Sequence, residues 1–183
     1  RAEFSFTAAE NHPRTWINDP TVAGGGPIAD VGVHAIDALR FILQDEVVRV
    51  GAQAVLDERF GGMESAAVIS LEFSRGTLGT VLVSFRAEYR TPLEFVGETG
   101  VLFANNGLTV DRPIELQLFR DGNLVEKESI FNRLAYARQV DAFATAIMHK
   151  IEFPVPGEEG VKNQQILDAA YLSITTGRTE MIA

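Results

Sequence analysis

The stretch AAVISLEFSRGTLGTVLVSF, residues 66–85, decides the fold class of this 183-residue chain. It contains two apolar runs, 66–73 and 77–85, that are separated by the three residues SRG. A short link that contains glycine is typical of a β-hairpin, because parallel strands need a crossover of about a dozen residues or more. The sequence therefore predicts an antiparallel pair of strands in the middle of the chain.

Further strands are predicted on both sides of this hairpin. The first, over 1–7, alternates apolar and polar residues as a half-buried strand does. The others cover 47–56, 93–96, 101–104, 108–110, 114–119 and 124–130. Short polar links join the later strands, so we expect sequence neighbours to pair in antiparallel fashion.

Three helices complete the predicted architecture, with a loop over 8–26 before the first of them. The first helix covers 27–43, where apolar residues recur at the three- and four-residue spacings of a helix face. The second covers 132–149, and the third covers 158–176 and stops at a glycine. The side chains of the second helix that are expected to face inward are Leu134, Ala137, Phe143 and Ile147.

The expected fold class is α+β, a large and predominantly antiparallel β-sheet with helices packed on one face. Both faces of the central strands carry apolar residues, since Ile69 and Leu71 share one face and Val68 lies on the other. A sheet covered on one face only should alternate more cleanly. We hypothesise that the second face is buried against another domain or subunit, which in the latter case gives a homo-oligomer, a dimer or tetramer. The alternative is simple variation between edge and central strands.

Composition and charge narrow the class of protein. With 46% hydrophobic and 22% charged residues, the chain is expected to form a single globular domain over 1–183. Its net charge of −9 argues against a nucleic-acid partner, and no run of about 18 apolar residues predicts a membrane helix. The absence of cysteine excludes disulfides and thiolate metal sites and fits a reducing, cytoplasmic location.

Asp30, His34 and Asp37 form a polar constellation on the first helix, at positions i, i+4 and i+7. At about 100° per residue they fall within about 60° of arc, opposite the apolar stripe. A carboxylate one turn from an imidazole fixes its tautomer, an arrangement that suits general acid/base catalysis. The same spacing also occurs on a solvated helix face with charge pairs, and where Asp and His share a metal ion. No further acidic cluster completes a metal shell, so no metal site is expected.

Residues 24–29, GGGPIA, match the G-x-G-x-x-A spacing of a dinucleotide-binding turn. That turn must follow a buried strand directly, and no apolar run precedes it here, so we expect no self-contained nucleotide fold. The glycines would instead bring the backbone close to a ligand at the helix N-terminus, or form an ordinary turn. In mid-helix, Gly32 would leave room for a flat ligand beside His34.

The fourteen residues 24–37, GGGPIADVGVHAID, resemble a signature of the glucose-fructose oxidoreductase / inositol dehydrogenase / MocA (Gfo/Idh/MocA) family. That pattern is three glycines, three residues and then D-x-G-x-H-x-x-D. The similarity continues in 75–79, 98–100 and 153–178, so it covers nearly the whole chain. The resemblance implies the C-terminal, substrate-binding and oligomerisation domain of such an enzyme, without the N-terminal Rossmann domain that binds NAD or NADP.

The resemblance also implies roles for particular residues. By position, His34 matches the acid/base histidine of the family, and Asp30 matches the carboxylate that holds the substrate and orients that histidine. Asp37 completes the motif and is expected to be structural. No residue of this chain is assigned to the cofactor. The candidate substrate-pocket residues are Arg14, Trp16 and Tyr89, although ordinary surface loops carry such side chains as well.

The activity that the resemblance implies is NAD(P)-dependent oxidoreduction of a sugar, a cyclitol or a related alcohol by the full-length protein. Hydride would pass between the substrate and the nicotinamide while His34 handles the proton. The catalytic lysine of the family belongs to the other domain, so we expect this chain alone to be inactive. The alternatives are a non-catalytic binding or scaffold domain with the same fold, and a metal-dependent hydrolase that uses Asp30 and His34.

Overall fold

A computed structural model of the chain describes residues 1–8 and 15–182. Its strands are β1 (Ala2–Thr7), β2 (Val47–Leu56), β3 (Glu64–Phe73), β4 (Leu78–Ser84), β5 (Arg86–Arg90), β6 (Leu93–Gly97), β7 (Gly100–Asn105), β8 (Ile114–Arg120), β9 (Asn123–Ile130) and β10 (Glu180–Met181). Its helices are α1 (Pro20–Ala23), α2 (Val33–Leu43), α3 (Ala135–His149) and α4 (Gly157–Thr176), with a π-helical turn over Ile28–Gly32 and 3₁₀ turns over Thr15–Asn18 and Glu58–Phe60. The predicted α+β class is confirmed.

The strands form one open sheet in the order β10-β2-β3-β4-β1-β6-β7-β8-β9, and β5 pairs with β1 beside this row. The predicted hairpin is β3–β4, with Ile69 opposite Val81. The one parallel pairing in the part of the chain described here is β1–β4, where Phe4 lies opposite Val83. The sheet is therefore predominantly antiparallel, as predicted, and β1 joins its hairpin half to the β6–β9 meander.

The main hydrophobic core lies between the sheet and two helices, α2 and α4. Ile36 and Leu39 of α2 and Ile166 of α4 pack in one cluster with Ile69 and Val83 of the sheet, all of them almost fully buried. Burying an aliphatic side chain of this size is worth about 1.5–3 kcal/mol, so this layer fixes α2 firmly on the sheet. A smaller cluster holds the Thr15–Asn18 turn, and its members are Ala8, Ile17, Phe60, Met63 and Phe85.

No helix within residues 1–8 and 15–182 covers the opposite face of the sheet. Val68, Leu78 and Val96 point to this face and are 45%, 78% and 76% exposed. Over residues 66–73 of β3 the inward residues are buried and the outward residues are exposed or half-buried, which is the alternation of a sheet with one covered face. Burial of this second face against a partner stays a hypothesis.

The prediction that α3 buries an apolar face is wrong. Leu134, Phe143 and Ile147 are 59%, 54% and 63% exposed, and Ala137 is exposed as well. Ala146 is the buried residue of the helix. Spacing identifies an apolar face but not the surface that covers it, and α3 does not lie on the sheet as α2 and α4 do.

Other local predictions also need correction. The strand predicted over 108–110 is a turn, in which the Thr109 N–H donates to the Asn106 carbonyl at 3.0 Å. The predicted loop over 8–26 contains α1, which Asp19 caps by accepting from the Thr21 N–H at 2.9 Å. β5 and β10 were not predicted, because β5 is polar and β10 has two residues. No helix in the two described segments is both long enough and apolar enough to cross a bilayer.

Candidate functional site

The polar constellation lies where the π-helical turn meets α2. Asp30 belongs to the Ile28–Gly32 turn and is half-buried, whereas His34 and Asp37 stand on α2 and are exposed. The Asp30 N–H donates to the Gly26 carbonyl at 3.1 Å, which ties the turn to the glycine segment. π-helical turns are rare in proteins, and many of those that occur lie at functional sites. Apolar spacing alone predicted one continuous α-helix, because it does not separate a single π turn from an α turn.

The three glycines serve the protein's own packing. Gly24 has a φ of +74°, a conformation that favours glycine. A Cβ on Gly25 would overlap the Tyr171 hydroxyl, and a Cβ on Gly26 would overlap the Glu64 carbonyl oxygen. We expected the glycine backbone to lie close to a ligand. In the structure Gly25 and Gly26 lie close to α4 and β3 instead.

Gly32 also differs from the expectation. It is buried, and a Cβ there would lie 3.6 Å from Val83 Cγ1 and 3.5 Å from the Pro27 carbonyl oxygen, which is ordinary contact. The Gly32 position faces the sheet, so it does not open space for a ligand beside His34.

A buried carboxylate from β3 caps the start of the π-helical turn. Glu64 is 4% exposed, and its Oε1 accepts from the Ile28 N–H at 3.1 Å and from the Tyr171 hydroxyl at 2.9 Å. Burial, followed by the Glu64 charge and its hydrogen bond, raises the pKa of Tyr171 well above its usual range, while the Ala29 N–H opposes this increase. Tyr171 therefore stays a neutral hydrogen-bond donor.

Two of the predicted site residues meet across an aromatic side chain that was not predicted. The Phe4 ring lies 5.9 Å from the His34 ring and 6.2 Å from the Tyr89 ring, between centroids. The Arg112 guanidinium carbon lies 4.7 Å from the centroid of Tyr89, within the range of a cation–π interaction. His34, Phe4, Tyr89 and Arg112 thus form a continuous row, the aromatic row, beside the start of α2.

The Tyr89 side chain is held in place by threonines. Its hydroxyl lies 2.7 Å from Thr109 Oγ1, which in turn lies 2.6 Å from Thr91 Oγ1. Both threonines are buried, with 2% and 0% exposure. The hydroxyl is therefore engaged inside the protein, and the half-buried ring is the part of Tyr89 that a ligand could contact.

Asp37 is hydrogen-bonded to a side chain of α4 and is not part of the aromatic row. Its Oδ1 accepts from Asn163 Nδ2 at 2.8 Å, and Asn163 Oδ1 accepts from Arg40 Nη1 at 2.8 Å. Arg40 Nη2 also bonds Glu46 at 2.8 Å and Glu159 at 2.7 Å. These bonds tie α2 to α4 and agree with a structural role for Asp37.

Two carboxylates of this network, Glu46 and Glu159, are stabilised in their charged form. Burial raises the pKa of Glu46, but hydrogen bonds from Lys162 and Arg40 lower it below its ordinary value. Hydrogen bonds from the same two cations lower the pKa of Glu159. Glu46 and Glu159 are therefore charged at neutral pH.

Two further residues, Arg14 and Trp16, were predicted to line the pocket. Arg14 lies outside the described residues. Trp16 is 44% exposed on the Thr15–Asn18 turn, next to the buried Ile17 that anchors this turn. The assignment of both residues to the site stays a prediction.

Sequence reasoning missed Phe4, Arg112 and Glu64. The alternation of β1 placed Phe4 on a buried face, but only the parallel β1–β4 pairing brings it beside α2. A carboxylate two residues before the apolar run 66–69 was the available signal for Glu64. Its partner Ile28 lies 36 positions away, so spacing could not identify the contact.

The residues around the π-helical turn were compared with what a metal ion or a dinucleotide needs. Within residues 1–8 and 15–182, no three His, Asp or Glu side chains are grouped so as to hold a metal ion. The GGGPIA segment does not fit a dinucleotide, because the buried Glu64 carboxylate takes the place at the turn where a pyrophosphate would bind.

Comparison with known proteins gives a consistent result. Residues 1–103 match the family model described as the GFO/IDH/MocA C-terminal domain. The chain is 33% identical over 178 residues to D-xylose 1-dehydrogenase (NADP(+)) 2 of Haloferax volcanii, which covers 96% of this chain and 53% of that protein. It is 27% identical over 170 residues to inositol 2-dehydrogenase of Rhizobium meliloti, covering 87% and 50%.

Solved structures share the fold. Aldose-aldose oxidoreductase from Caulobacter crescentus superposes with a TM-score of 0.85 at 23% identity, over 98% of this chain and 54% of that one. The chain spans about half the length of the curated relatives that it matches.

Proposed function

Because the chain belongs to the GFO/IDH/MocA C-terminal domain family, we propose that it is the substrate-binding part of an oxidoreductase that acts on a sugar, a cyclitol or a related polyol. The observation that supports this most is the placement of the exposed His34 imidazole beside Phe4, one turn after Asp30. Aromatic surface with a few convergent polar groups is the usual composition of a small-molecule site.

In the proposed mechanism His34 exchanges a proton with the reacting hydroxyl or carbonyl of the substrate. Asp30 orients this imidazole and accepts a hydrogen bond from the substrate. The Phe4 and Tyr89 rings pack against the C–H groups of the sugar. A nicotinamide cofactor, NAD or NADP, would supply the hydride chemistry when it is bound in the full-length enzyme, and no residue of this chain is assigned to hold it.

The test is a dehydrogenase assay on the enzyme that contains this chain, with aldoses and inositols and with both nicotinamide cofactors. His34→Ala should lower kcat by about 10²-fold or more, because proton transfer by a positioned side chain contributes that much. His149→Ala, which changes an exposed histidine at the end of α3, is the matched control and should leave kcat unchanged. Equal turnover of wild type and His34→Ala would refute the catalytic proposal and favour the non-catalytic binding domain.

We also propose that the uncovered sheet face forms a homo-oligomer, a dimer or tetramer. Exposed apolar side chains spread over three strands, Val68, Leu78 and Val96, support this. Light scattering should give a mass of at least two copies at micromolar concentration, and the Val68→Glu, Leu78→Glu double variant should be monomeric. A monomeric wild type would contradict the proposal.

A further inference from the structure

We infer that Glu64, on β3, is the positioning residue that holds the Asp30–His34 turn in its working geometry; the inference rests on the proposed function. Its Oε1 atom joins three elements, because it accepts from the Ile28 N–H of the π-helical turn and from the Tyr171 hydroxyl of α4. Glu64 itself belongs to the strand that pairs with β4 under α2.

The Ile28 N–H needs an external partner. The first N–H groups of a helix have no acceptor within the helix, and Ile28 is fully buried, so water does not reach it. A buried N–H without a partner is strongly destabilising, and a carboxylate is favoured at a helix N-terminus by the helix dipole. Glu64 meets both requirements from outside the turn.

The glycine segment shows that this contact is built closely. Gly26 passes over the Glu64 backbone carbonyl, and Gly25 passes over the Tyr171 hydroxyl, at distances where a Cβ would overlap either group. Gly25 therefore leaves room for the Tyr171 side chain, and Gly26 leaves room for the β3 backbone at Glu64. The two glycines let the turn approach the elements that carry the Glu64–Tyr171 pair.

The anchored atom is close to the proposed chemistry along the chain. Ile28 lies two residues before Asp30 and six before His34. The Asp30 N–H is tied to Gly26, so the turn has a second fixed point next to the first. A shift of Ile28 on loss of Glu64 would move Asp30 with it. Glu64 does not touch the substrate in this scheme and acts through the backbone.

Four variants test the inference. Glu64→Gln keeps the Oε1 acceptor without the charge, Glu64→Ala removes the acceptor, and Tyr171→Phe removes one of its two donors. Glu72→Ala is the matched control, since Glu72 is a partly exposed glutamate on the same strand, paired with Arg49.

The first measurement is amide hydrogen exchange on the 183-residue chain. Glu64→Ala should accelerate exchange of the Ile28 amide by about tenfold or more relative to the β3–β4 amides. Glu64→Gln and Glu72→Ala should stay near wild type, with Tyr171→Phe in between. Unchanged exchange at Ile28, or equal acceleration of every amide, would overturn the inference, because the effect would then be absent or merely global.

The second measurement is kcat in the enzyme that contains this chain. Glu64→Ala should lower kcat about tenfold with a smaller change in KM, and Glu64→Gln should restore most of it. Local loosening at Ile28 with full kcat would overturn the positioning role. If His34→Ala itself leaves kcat unchanged, the proposed function fails, and hydrogen exchange still decides whether Glu64 holds the turn.

Discussion

Replacement of Arg40 by methionine tests how much the junction between α2 and α4 contributes to stability. The guanidinium is 4% exposed and makes four charge-assisted hydrogen bonds, two to Glu46, one to Glu159 and one to Asn163. Methionine keeps much of the packing of the alkyl chain but removes every one of these bonds. The change therefore isolates the polar part of the junction.

The magnitude follows from the exposure of the three partners. Removing one member of a fully buried ion pair costs about 3–5 kcal/mol. Here the side chains of Glu46 and Glu159 are 50% and 35% exposed and keep Lys162 at 2.8 and 3.0 Å, so both carboxylates recover part of the loss. Asn163 is 6% exposed and loses a donor that water cannot readily replace. We expect Arg40→Met to lower the free energy of unfolding by about 2–3 kcal/mol.

Urea unfolding at neutral pH measures this loss as a lower midpoint with an unchanged slope. Arg49→Met is the matched control, because the Arg49–Glu72 pair is 47% and 40% exposed and should contribute at most about 1 kcal/mol. A loss for Arg40→Met no larger than that for Arg49→Met would refute the reasoning, since burial would then not decide the cost.

Other changes test neighbouring parts of the structure. The Glu46→Gln, Glu159→Gln double variant should show a weaker decrease of Tm with falling pH than wild type. The pKa values of both glutamates are lowered from their ordinary value of 4.5, so their charged forms stabilise the fold above that pH. This stabilisation is lost as the pH falls through the folded-state pKa values. Equal slopes of Tm for wild type and variant as the pH falls below 4.5 would contradict this sign. Phe85→Ala should cost about 3–5 kcal/mol in urea unfolding, because Phe85 is fully buried in the smaller cluster, and a loss below about 2 kcal/mol would argue that the cluster collapses into the space. Thr109→Val should cost about 1–2 kcal/mol by removing the partner of the Tyr89 hydroxyl, and Tyr89→Phe should add little on top of it; additive losses would exclude this coupling.

The features that could be predicted from the sequence are those specified by near neighbours. The β3–β4 hairpin is specified by apolar runs on both sides of a short link that contains glycine, and the end of α4 by Gly177, whose N–H donates to the Ser173 carbonyl at 2.8 Å. The placement of Asp30 and His34 about one turn apart could be predicted because both residues belong to one short segment, and their role in catalysis stays a proposal. The parallel β1–β4 pairing was not, since it depends on residues that are far apart in the chain.

The same distinction applies to the candidate site. Tyr89 was named from its residue type, but its neighbours Phe4 and Thr109 come from other parts of the chain. For α3 the helical period was correct, but the apolar face that was predicted to be buried is exposed. Period describes which side chains share a face, and only the tertiary fold decides what that face meets.

The central position of β1 has a consequence for the order of folding. Ala2 pairs with Val81 on one side and with Leu93 on the other, so the earliest strand of this chain waits for partners that lie about eighty to ninety residues later. Closing such long loops is slow, whereas the hairpin and the meander can each form from local contacts. The pairings of β1 with β4 and β6 join the hairpin to the meander and are therefore expected to form last. These pairings also bring Phe4 beside His34. The candidate site is then assembled only when the two halves of the sheet have already joined.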